Sequence, residues 1–349
     1  MFESYTIKDI AKALGLSTST VSRALNGSYE IGAETKKLVL EYAEKINYRP
    51  NPIALSLKEQ KSHSIGVVVA EVANNYFSQA INGIESIAYN RGYHVIITQT
   101  HESYARETAN VQHLISRHVD GLLVSLSAET VDLSHYQYLH DKGFPIVFFD
   151  RVAPNIETHK VTVDNFKGAF EATELLINTG FRKIAHLTNS YNLLISKERL
   201  NGYKAALEKH NIPFNPEYLK HCNHGGMIQH EVETTLQELL NLNDKPEAIF
   251  VTSDRLTTNC LYILKKLGLR VPEDIAIAGF TNSDVAELFD PPLTVVRQPA
   301  FQIGQIATEM LINLIESKRP VTEFVTETLE TQLISRASSK KTTKDSIKS

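Results

Sequence analysis

The pattern of apolar and polar residues divides this 349-residue chain into two parts with different periodicity. Up to about residue 49, apolar residues recur every three or four positions, as they do along one face of an α-helix. From about residue 65, short apolar runs alternate with longer amphipathic stretches, which indicates buried strands separated by helices. The sequence therefore predicts a small helical domain followed by a larger α/β domain.

Three helices are predicted in the first part. Thr6 can cap a helix that ends at Gly15, and Ser17 can cap a second helix that ends at Asn26-Gly27. A third helix is expected from about residue 33. Two short helices joined by a tight turn and followed by a third form a helix-turn-helix, although any three-helix bundle could show this pattern. The positions predicted to face inward are Ile7, Ile10, Ala11, Leu14, Val21, Ala24, Leu25, Leu38, Val39, Tyr42, Ala43 and Ile46.

A proline-led stretch, NYRPNPIALSLKEQKSHS, connects the two parts at residues 47–64. Pro50 ends the third helix, and Pro52, preceded by an asparagine, is suited to the first turn of a new helix. Ala54 and Leu57 would lie on one face of that helix. A helix of two turns is marginal in water by itself, so we expect it to order only against a partner.

Seven apolar runs in the second part have the length and composition of buried parallel strands. They fall at 65–70, 93–100, 121–126 and 145–150, and then at 183–188, 247–253 and 274–280. The repetition predicts an α/β core of two doubly wound parallel-sheet subdomains, similar to periplasmic binding proteins, with a cleft between them. Because ligands in such folds bind beyond the carboxyl ends of the strands, residues at those ends are the candidates for a site.

Composition narrows the class of protein. Apolar residues make up 42% and charged residues 22% of the chain, values typical of a globular protein, and the net charge of −4 argues against a generally basic protein that coats nucleic acid. Cys222 and Cys260 provide no disulfide framework, which fits a reducing cytoplasm. No signal peptide and no membrane-spanning run is predicted. A cytoplasmic protein is therefore expected.

Enzyme and metal motifs are missing from the sequence. It contains no G-x-S-x-G, no G-x-x-x-x-G-K-[ST], no G-x-G-x-x-G and no H-E-x-x-H. The segment HCNH at 221–224 places two histidines near a cysteine, but no second ligand pair lies at zinc-finger spacing. We therefore predict no catalytic residue, no metal site and no cofactor.

Five segments carry a family resemblance: TIKDIAKALGLSTSTVSRALNG, YRPNPIALSL, IGVVVAEVANNYF, VPEDIAIAGF and PPLTVVRQP. In this order they resemble the lactose-repressor family of bacterial transcription regulators, from Thr6 to about Arg336. The resemblance implies a homodimer whose helical domains bind a pseudo-palindromic operator in double-stranded DNA. It also implies a core that binds a small effector and thereby alters operator affinity.

The same resemblance implies a division into domains. A helix-turn-helix domain at 1–49 is followed by a hinge helix and linker at 50–63 and by an effector-binding and dimerisation core at 64–337. The remaining residues, 338–349, are polar and rich in Lys, Ser and Thr, and this composition predicts a disordered tail. Within the core, the N-subdomain is expected at about 64–161 and 294–322, and the C-subdomain at about 162–293 and 323–337.

The second helix is predicted to read DNA. Thr18, Ser19 and Arg23 match the family's base-reading positions, and an arginine can bond guanine through two hydrogen bonds. Residues 1–60 hold six Lys and two Arg against six Glu and one Asp, a net charge of +1, so binding must depend on focused contacts. The predicted backbone contacts are Ser17, Thr20, Ser22 and Asn26, and Thr6 is also predicted to bind DNA.

The hinge supplies a second DNA contact in this family. Leu57 matches a leucine that wedges into the minor groove and kinks the duplex, and Ala54 matches the small residue that lets two hinge helices approach each other. Leu55 departs from the pattern, because many members carry a basic residue there, so a backbone contact is in doubt.

The cleft of the core is predicted to bind the effector. Arg199, in the segment RLNG, matches the family's effector-contacting arginine, while Thr281 replaces the aspartate usual in sugar-binding members and leaves the effector class open. His224 stands where relatives place an aromatic residue. The other candidates follow predicted strands: Tyr76, Phe77, Ser125, Asp150, Arg151, Ser253 and Asp254.

The sequence thus predicts a ligand-controlled repressor of carbohydrate-utilisation genes. Its effector would change the angle between the subdomains and so disturb the pairing of the hinge helices. Alternatives within the family are a corepressor-type regulator, or one that responds to a purine or a partner protein. The helical domain disfavours a sugar-transport protein with the same fold. The missing motifs disfavour an enzyme built on that fold.

Overall fold

The computed structural model describes residues 5–48 and 61–341. It divides the chain into two compact units, with the boundary between residues 63 and 64. The first unit contains three helices: α1 (Ile7–Leu14), α2 (Thr18–Leu25) and α3 (Ala33–Lys45). Gly15 ends α1 with a φ of 63°, a conformation that glycine adopts without strain. The predicted helix-turn-helix is present.

The core of this unit is small and agrees with the predicted inward positions except at one residue. Val21 and Ala24 of α2 and Ile10 of α1 are fully buried, and Val39 of α3 packs with them. Leu38, predicted to face inward, is 48% exposed, because Val39 and Ala43 already occupy the buried face of α3.

The second unit consists of two lobes, each built on a six-stranded sheet with helices on both faces. Lobe 1 has the strand order β11-β5-β4-β3-β1-β2, all parallel, and lobe 2 has the order β12-β10-β9-β8-β6-β7, in which β12 alone is antiparallel to its neighbour. This is the predicted pair of doubly wound subdomains.

The chain builds most of lobe 1 first and most of lobe 2 next, and then returns once to each lobe. Lobe 1 comprises β1 (Ser64–Val69), α4 (Asn75–Asn90), β2 (His94–Gln99), α5 (Tyr104–Ser116), β3 (Gly121–Val124), α6 (Ser134–Asp141), β4 (Ile146–Phe149), β5 (Lys160–Val163), α11 (Ala300–Glu316) and β11 (Thr326–Leu329). Lobe 2 comprises α7 (Asn165–Asn178), β6 (Ile184–Thr188), α8 (Leu194–Lys209), β7 (Leu219–His221), α9 (Gln229–Leu240), β8 (Ala248–Val251), α10 (Asp254–Lys266), β9 (Ala276–Phe280), β10 (Thr294–Arg297) and β12 (Gln332–Ile334).

The chain crosses between the lobes three times, and these crossings differ from the predicted subdomain limits. Strand β10, expected in the N-subdomain, pairs with β9 and β12 of lobe 2. Strand β11, expected in the C-subdomain, pairs with β5 of lobe 1, and β5 itself continues two residues past the predicted limit of 161. These short strands lie next to the crossings, where sheet pairing rather than the hydrophobic pattern decides which lobe they join.

The start of the predicted disordered tail is ordered. Residues Ala337–Ser339 form a 3-10 turn in which Ser338 and Ser339 are buried. The Ser338 hydroxyl donates to the Ile277 carbonyl at 2.7 Å, so the turn is tied to the second sheet. Polar composition suggested disorder, but these hydroxyls find acceptors that only the folded lobe provides. Residues 342–349 lie outside the described part of the chain.

Candidate DNA interface and effector site

Helix α2 begins with a hydrogen-bonded group of hydroxyls. Ser17 Oγ accepts the Thr20 N–H at 3.1 Å and therefore caps the helix, and it lies 2.8 Å from the hydroxyls of both Ser19 and Thr20. Thr18 and Ser19 are exposed at the helix N-terminus, the end that a helix-turn-helix presents to base edges. The Ser17 hydroxyl, predicted to contact a phosphate, is directed at its own helix in the unbound protein.

Arg23, the predicted guanine reader, has a partner that the sequence did not reveal. Its Nη1 lies 3.2 Å from Glu30 Oε2, with the two side chains 59% and 49% exposed. Exposed ion pairs of this kind are weak in water. Glu30 therefore holds Arg23 only weakly, and beside it Tyr29 is 95% exposed.

Thr6 fixes the start of α1. Its N–H and its hydroxyl both donate to Asp9 Oδ2, at 2.8 and 2.7 Å, and these hydrogen bonds lower the pKa of Asp9. Its predicted DNA contact would use the face of the residue left in solvent. Ser22 is partly buried and Asn26 is exposed. The predicted roles of Ala54 and Leu57 fall on residues outside the described part of the chain.

In the core, a buried polar cluster lies where strands of lobe 1 end. Ser125 follows β3, and Asp150 and Arg151 follow β4; all three are at least nine-tenths buried. Ser125 Oγ lies 3.5 Å from Asp150 Oδ2. From the first turn of α4, Tyr76 brings its ring to the same place, and Phe77 lies under the Arg151 guanidinium at 5.8 Å from its ring centroid.

Two residues that the sequence analysis did not single out complete this cluster. Glu102, which follows β2, accepts from Arg151 Nη1 at 2.6 Å and from the Ala128 N–H at 2.8 Å. Gln298, which follows β10, comes from lobe 2 and accepts from Arg199 at 3.1 Å. Applying the strand-end rule to β2 would have found Glu102, whereas β10 was not predicted as a strand at all.

Arg199 is held by lobe 2 on several sides. Its guanidinium donates to Asn165 Oδ1 at 2.9 Å, to Gln298 Oε1 and to the Thr252 carbonyl, and it lies 3.9 Å from the centroid of the Phe280 ring. Burial lowers its pKa to about 10, while Asp150 acts in the opposite direction. Three of the five N–H donors of Arg199 are thus used within the protein.

The backbone at the strand ends is held in an uncommon conformation. His101, Glu102 and Asp150 have φ values of 49°, 64° and 59°, in the left-handed region that residues other than glycine rarely adopt. Such strain is found mainly at functional sites, where the surrounding structure imposes it. Here it aims the Glu102 and Asp150 carboxylates into the cluster.

Several donors in the cluster form no hydrogen bond of good geometry within the described residues. Tyr76 Oη, Arg151 Nε and Gln298 Nε2 are buried, and all three lie beside the Asp150 carboxylate, with Arg151 Nε 3.8 Å from Asp150 Oδ2. Burial raises the pKa of Asp150, while Arg151, Arg199 and Gln298 act in the opposite direction. Since buried polar groups are normally paired, these atoms mark a place suited to a polar ligand.

The remaining predicted effector residues lie elsewhere in the core. Asp254 accepts from Thr281 Oγ1 and from the Asn282 N–H, and Ser253 Oγ donates to Asn189 Oδ1 at 2.9 Å, so the three predicted residues line the adjoining edge of the cleft. His224 Nδ1 lies 3.3 Å from Glu231 in the same lobe, and the His224 side chain is 49% exposed. Its loop borders the cluster, because a Cβ on the next residue, Gly225, would lie 3.5 Å from Glu102 Oε1.

Within residues 5–48 and 61–341, no group of three or more His, Cys, Asp or Glu side chains is arranged to hold a metal ion. Over the same residues, no helix has both the length and the apolar character needed to cross a membrane.

Comparison with known proteins matches each of the two units to a known protein family. Residues 6–51 match the profile of bacterial regulatory proteins of the lacI family, and residues 173–339 match the periplasmic binding protein-like domain. The chain is 33% identical over 316 residues to the HTH-type transcriptional repressor PurR of Vibrio vulnificus, covering 90% of this chain and 92% of the relative. It is 32% identical over 313 residues to the HTH-type transcriptional repressor CytR of Escherichia coli, covering 90% of each.

Solved structures agree. The complex of the transcriptional regulator CelR with cellobiose superposes with a TM-score of 0.71 at 29% identity, covering 96% of this chain and 99% of that one. The lac repressor dimer bound to operator and the anti-inducer ONPF gives a TM-score of 0.81 at 23% identity, over 97% of this chain and all of that one, which establishes the fold.

A helix-turn-helix joined to a two-lobed ligand-binding core defines a ligand-responsive DNA-binding transcriptional repressor, not an enzyme. The chain belongs to the lacI family of bacterial regulatory proteins.

Proposed function

We propose that this repressor controls carbohydrate-utilisation genes and that its effector is an uncharged sugar, or a sugar derivative, bound between the lobes at the Asp150 cluster. The observation that carries the proposal is the set of buried donors without a well-formed hydrogen bond, Tyr76 Oη, Arg151 Nε and Gln298 Nε2, beside the buried Asp150 carboxylate. A hydroxyl group both donates and accepts, so a polyhydroxyl ligand can satisfy the donors and the carboxylate together.

The charges around the cluster favour a neutral ligand over a phosphorylated one. The Arg151 guanidinium is paired with Glu102, and Arg199 already donates to three acceptors and packs on Phe280. A phosphate would need an uncommitted cation and would meet the Asp150 charge instead. The sugar in the CelR complex, a relative at 29% identity, is consistent with this choice.

The proposal assigns the other predicted residues their roles. Arg199 positions Gln298 and offers its remaining donors to the effector, and Phe77 supports the Arg151 guanidinium from below. Ser253, Asp254 and Thr281 line the adjoining edge of the cleft. His224 would approach the effector from the loop that borders Glu102.

On DNA, a homodimer would place two helix-turn-helix units, residues 1–49, on the two halves of a pseudo-palindromic operator. Thr18, Ser19 and Arg23 would contact bases. Thr6, Ser17, Thr20, Ser22 and Asn26 would contact the backbone.

The hinge at 50–63 would transmit the signal. Paired hinge helices insert Leu57 into the minor groove, with Ala54 at their close approach, and a change in the angle between the lobes separates them. The effector can act only through its different affinity for the two lobe arrangements, and a coupling of about 1–3 kcal/mol changes operator affinity by about 5- to 150-fold.

The test is a binding screen on the full chain. Ribose, cellobiose, ribose 5-phosphate and adenine are measured by thermal shift and calorimetry with the wild type, Asp150→Asn, and Asp141→Asn as an exposed control. A neutral sugar should bind the wild type and the control equally, and Asp150→Asn should weaken it by about tenfold or more, the value of a charged hydrogen bond.

The sugars that bind are then added to an operator selected from random DNA. Release or strengthening of that complex would establish the effector and the sign of regulation. Binding of only the phosphate or the nucleobase would refute the proposed effector class, and equal sugar affinity in Asp150→Asn would remove Asp150 from the site.

A further inference from the structure

Beside the Asp150 cluster, the first turns of helices α4 and α10 face each other from opposite lobes. Six polar residues make the contacts there and are called the α4–α10 junction. Lobe 1 contributes Glu71, Asn75 and Gln79, and lobe 2 contributes Asp254, Arg255 and Asn282.

An ion pair forms one end of the junction. Arg255 Nη1 lies 2.6 Å and 2.5 Å from the two carboxylate oxygens of Glu71, with the side chains 37% and 15% exposed. Glu71 follows β1, and Arg255 is the second residue of α10, so the pair joins the two sheets through rigid elements. It can form only when the lobes are close.

Asp254 forms the middle of the junction. Its Oδ1 accepts from Thr281 Oγ1 and from the Asn282 N–H in its own lobe, and its Oδ2 accepts the Asn75 N–H of lobe 1 at 3.0 Å. The Asn75 N–H belongs to the first turn of α4, where no intrahelical acceptor is available. The carboxylate of one lobe therefore satisfies a free helix end of the other.

A pair of amides forms the other end. Asn282 Nδ2 donates to Gln79 Oε1 at 2.7 Å, and Gln79 Nε2 donates back to the Asn282 carbonyl at 3.1 Å. Asn282 also exchanges hydrogen bonds with the backbone of Gln298, at 2.8 and 3.1 Å. Since Tyr76 follows Asn75 and Gln298 is held by Asn282, the junction positions cluster residues from both lobes.

We infer that the α4–α10 junction is a latch that closes the lobes without effector and so sets how readily the effector site forms. Glu71, Asp254 and Arg255 are its positioning residues, and they act through lobe closure and not through contact with the effector. The main role of Asp254 and Thr281 would then be to hold the latch, and contact with a ligand would be secondary. The effect on lobe closure does not depend on the proposed effector; only its transmission to DNA rests on the proposed function.

The test uses the ligand-free full chain. Glu71→Gln and Arg255→Gln each remove one charge of the pair, and the double variant Glu71→Arg with Arg255→Glu restores a pair of opposite orientation. The control is Glu316→Gln, which breaks the 2.6 Å pair with Arg91 inside lobe 1. Amide hydrogen exchange is followed by mass spectrometry, and the radius of gyration by small-angle X-ray scattering.

In the Glu71→Gln and Arg255→Gln variants, the rate of amide hydrogen exchange should rise by about two- to fivefold in peptides spanning 71–79 and 252–258. This factor corresponds to the free energy of one partly exposed ion pair. The radius of gyration should increase with it. The reversed pair should restore both values, and the control should leave both unchanged, because its pair does not cross the cleft.

Exchange like that of the wild type in both single variants would overturn the latch, as would an increase spread through all of lobe 2, which would indicate a structural role only. Failure of the reversed pair to rescue would also refute it. Operator affinity of the same variants is measured separately, so loss of the proposed DNA function would leave the result on lobe closure intact.

Discussion

Two arginines that the sequence analysis singled out form ion pairs with glutamates that it did not identify. Arg23 meets Glu30, and Arg151 meets Glu102 across 49 positions of chain. The two pairs differ in burial, and burial determines how easily each pair can open. The proposed guanine contact of Arg23 would require only that this exposed pair open, at little cost, whereas the buried pair in the core is a fixed part of the cluster.

A change at Glu30 tests this exchange. Glu30→Gln should tighten binding to the selected operator by up to about fivefold, because Arg23 then loses a competing carboxylate. Arg23→Ala should weaken specific binding by about 1–3 kcal/mol and relax the preference at one base position. Both are measured by fluorescence anisotropy at fixed salt.

Glu41→Gln is the matched control, since it also removes one negative charge from the helical unit but only frees Lys37, at 3.9 Å. Equal tightening by both glutamine variants would mean that net charge alone is responsible. Unchanged base preference in Arg23→Ala would contradict its assignment as a reader.

Sequence reasoning placed part of the cluster correctly at this scale. Ser125, Asp150 and Arg151 were found because parallel strands end at one edge of a sheet, and the structure brings them together there. Gln298 was missed, because it joins the cluster through a lobe crossing. The pairing of Arg23 with Glu30 depends on how the loop after α2 folds back, which local pattern does not determine.

At the scale of elements, each lobe contains a pair of helices that cross at glycine. A Cβ at Gly83 of α4 would lie 2.0 Å from the Phe301 carbonyl oxygen, and one at Gly304 of α11 would lie 2.0 Å from that of Ala80. In lobe 2, a Cβ at Gly202 of α8 would lie 2.2 Å from the Phe166 carbonyl oxygen. In each pair the backbones of the two helices are in contact. A shift of one helix relative to the other would therefore disturb the sheet on which it packs.

Gly304→Ala should therefore destabilise the core by about 1–3 kcal/mol, the usual cost of overpacking, despite alanine's better helix propensity. Gly168→Ala is the matched comparison within a helix, since its nearest neighbours are the ends of side chains, Thr331 Oγ1 at 2.7 Å and Phe280 Cζ at 3.0 Å. It should cost less. Urea unfolding gives both values, and a Gly304→Ala protein as stable as the wild type would show that the crossing is not tight.

The strands that the sequence missed share a physical reason. β5, β7, β10, β11 and β12 are three or four residues long, and β7 and β11 lie at sheet edges with mostly polar or exposed residues. Length alone does not decide this, since β3, β4 and β8 also have four residues and are predicted from their continuous apolar runs. The missed strands all contain polar residues and therefore lack such a run. For the same reason the predicted limits of the subdomains were misplaced.

For the whole molecule, acid stability depends on a histidine inside the second sheet. His186 of β6 is fully buried against the rings of Tyr203 and Phe250, and burial lowers its pKa to about 3. The unfolded chain binds a proton at this residue below about pH 6.5, and the folded chain does not. Folding stability contributed by the neutral ring is therefore complete above pH 6.5 and is lost as pH falls towards 3.

His186→Phe should flatten the fall in stability between pH 6.5 and 4, removing up to about 1.4 kcal/mol per pH unit. His94→Phe, which removes an exposed histidine of β2, should leave the slope unchanged. Urea unfolding at several pH values measures both slopes. A wild-type slope in His186→Phe would show that acid sensitivity arises elsewhere.

The proposed hinge gives a prediction for the assembled complex. Leu57→Ala should reduce bending of operator DNA and weaken specific binding, because the apolar wedge that unstacks a base step is removed. Effector binding to the core should be unaffected. Bending is measured by fluorescence energy transfer between the ends of the operator duplex, and a normally bent complex would refute the wedge.

The sequence by itself determined the order of the two units, the helix-turn-helix, the long strands of both sheets and the family, because these depend on local periodicity and on motifs that are continuous in the chain. The tertiary structure decided which short strands join which lobe, the partners of Arg23 and Arg151, and the junction of Glu71 and Asp254 with residues from the opposite lobe. Those features arise from contacts that local periodicity does not specify. Arg23 meets Glu30 through the loop after α2, Arg151 meets Glu102 across the sheet of lobe 1, and the junction forms only where the two lobes, linked by three crossings, lie together.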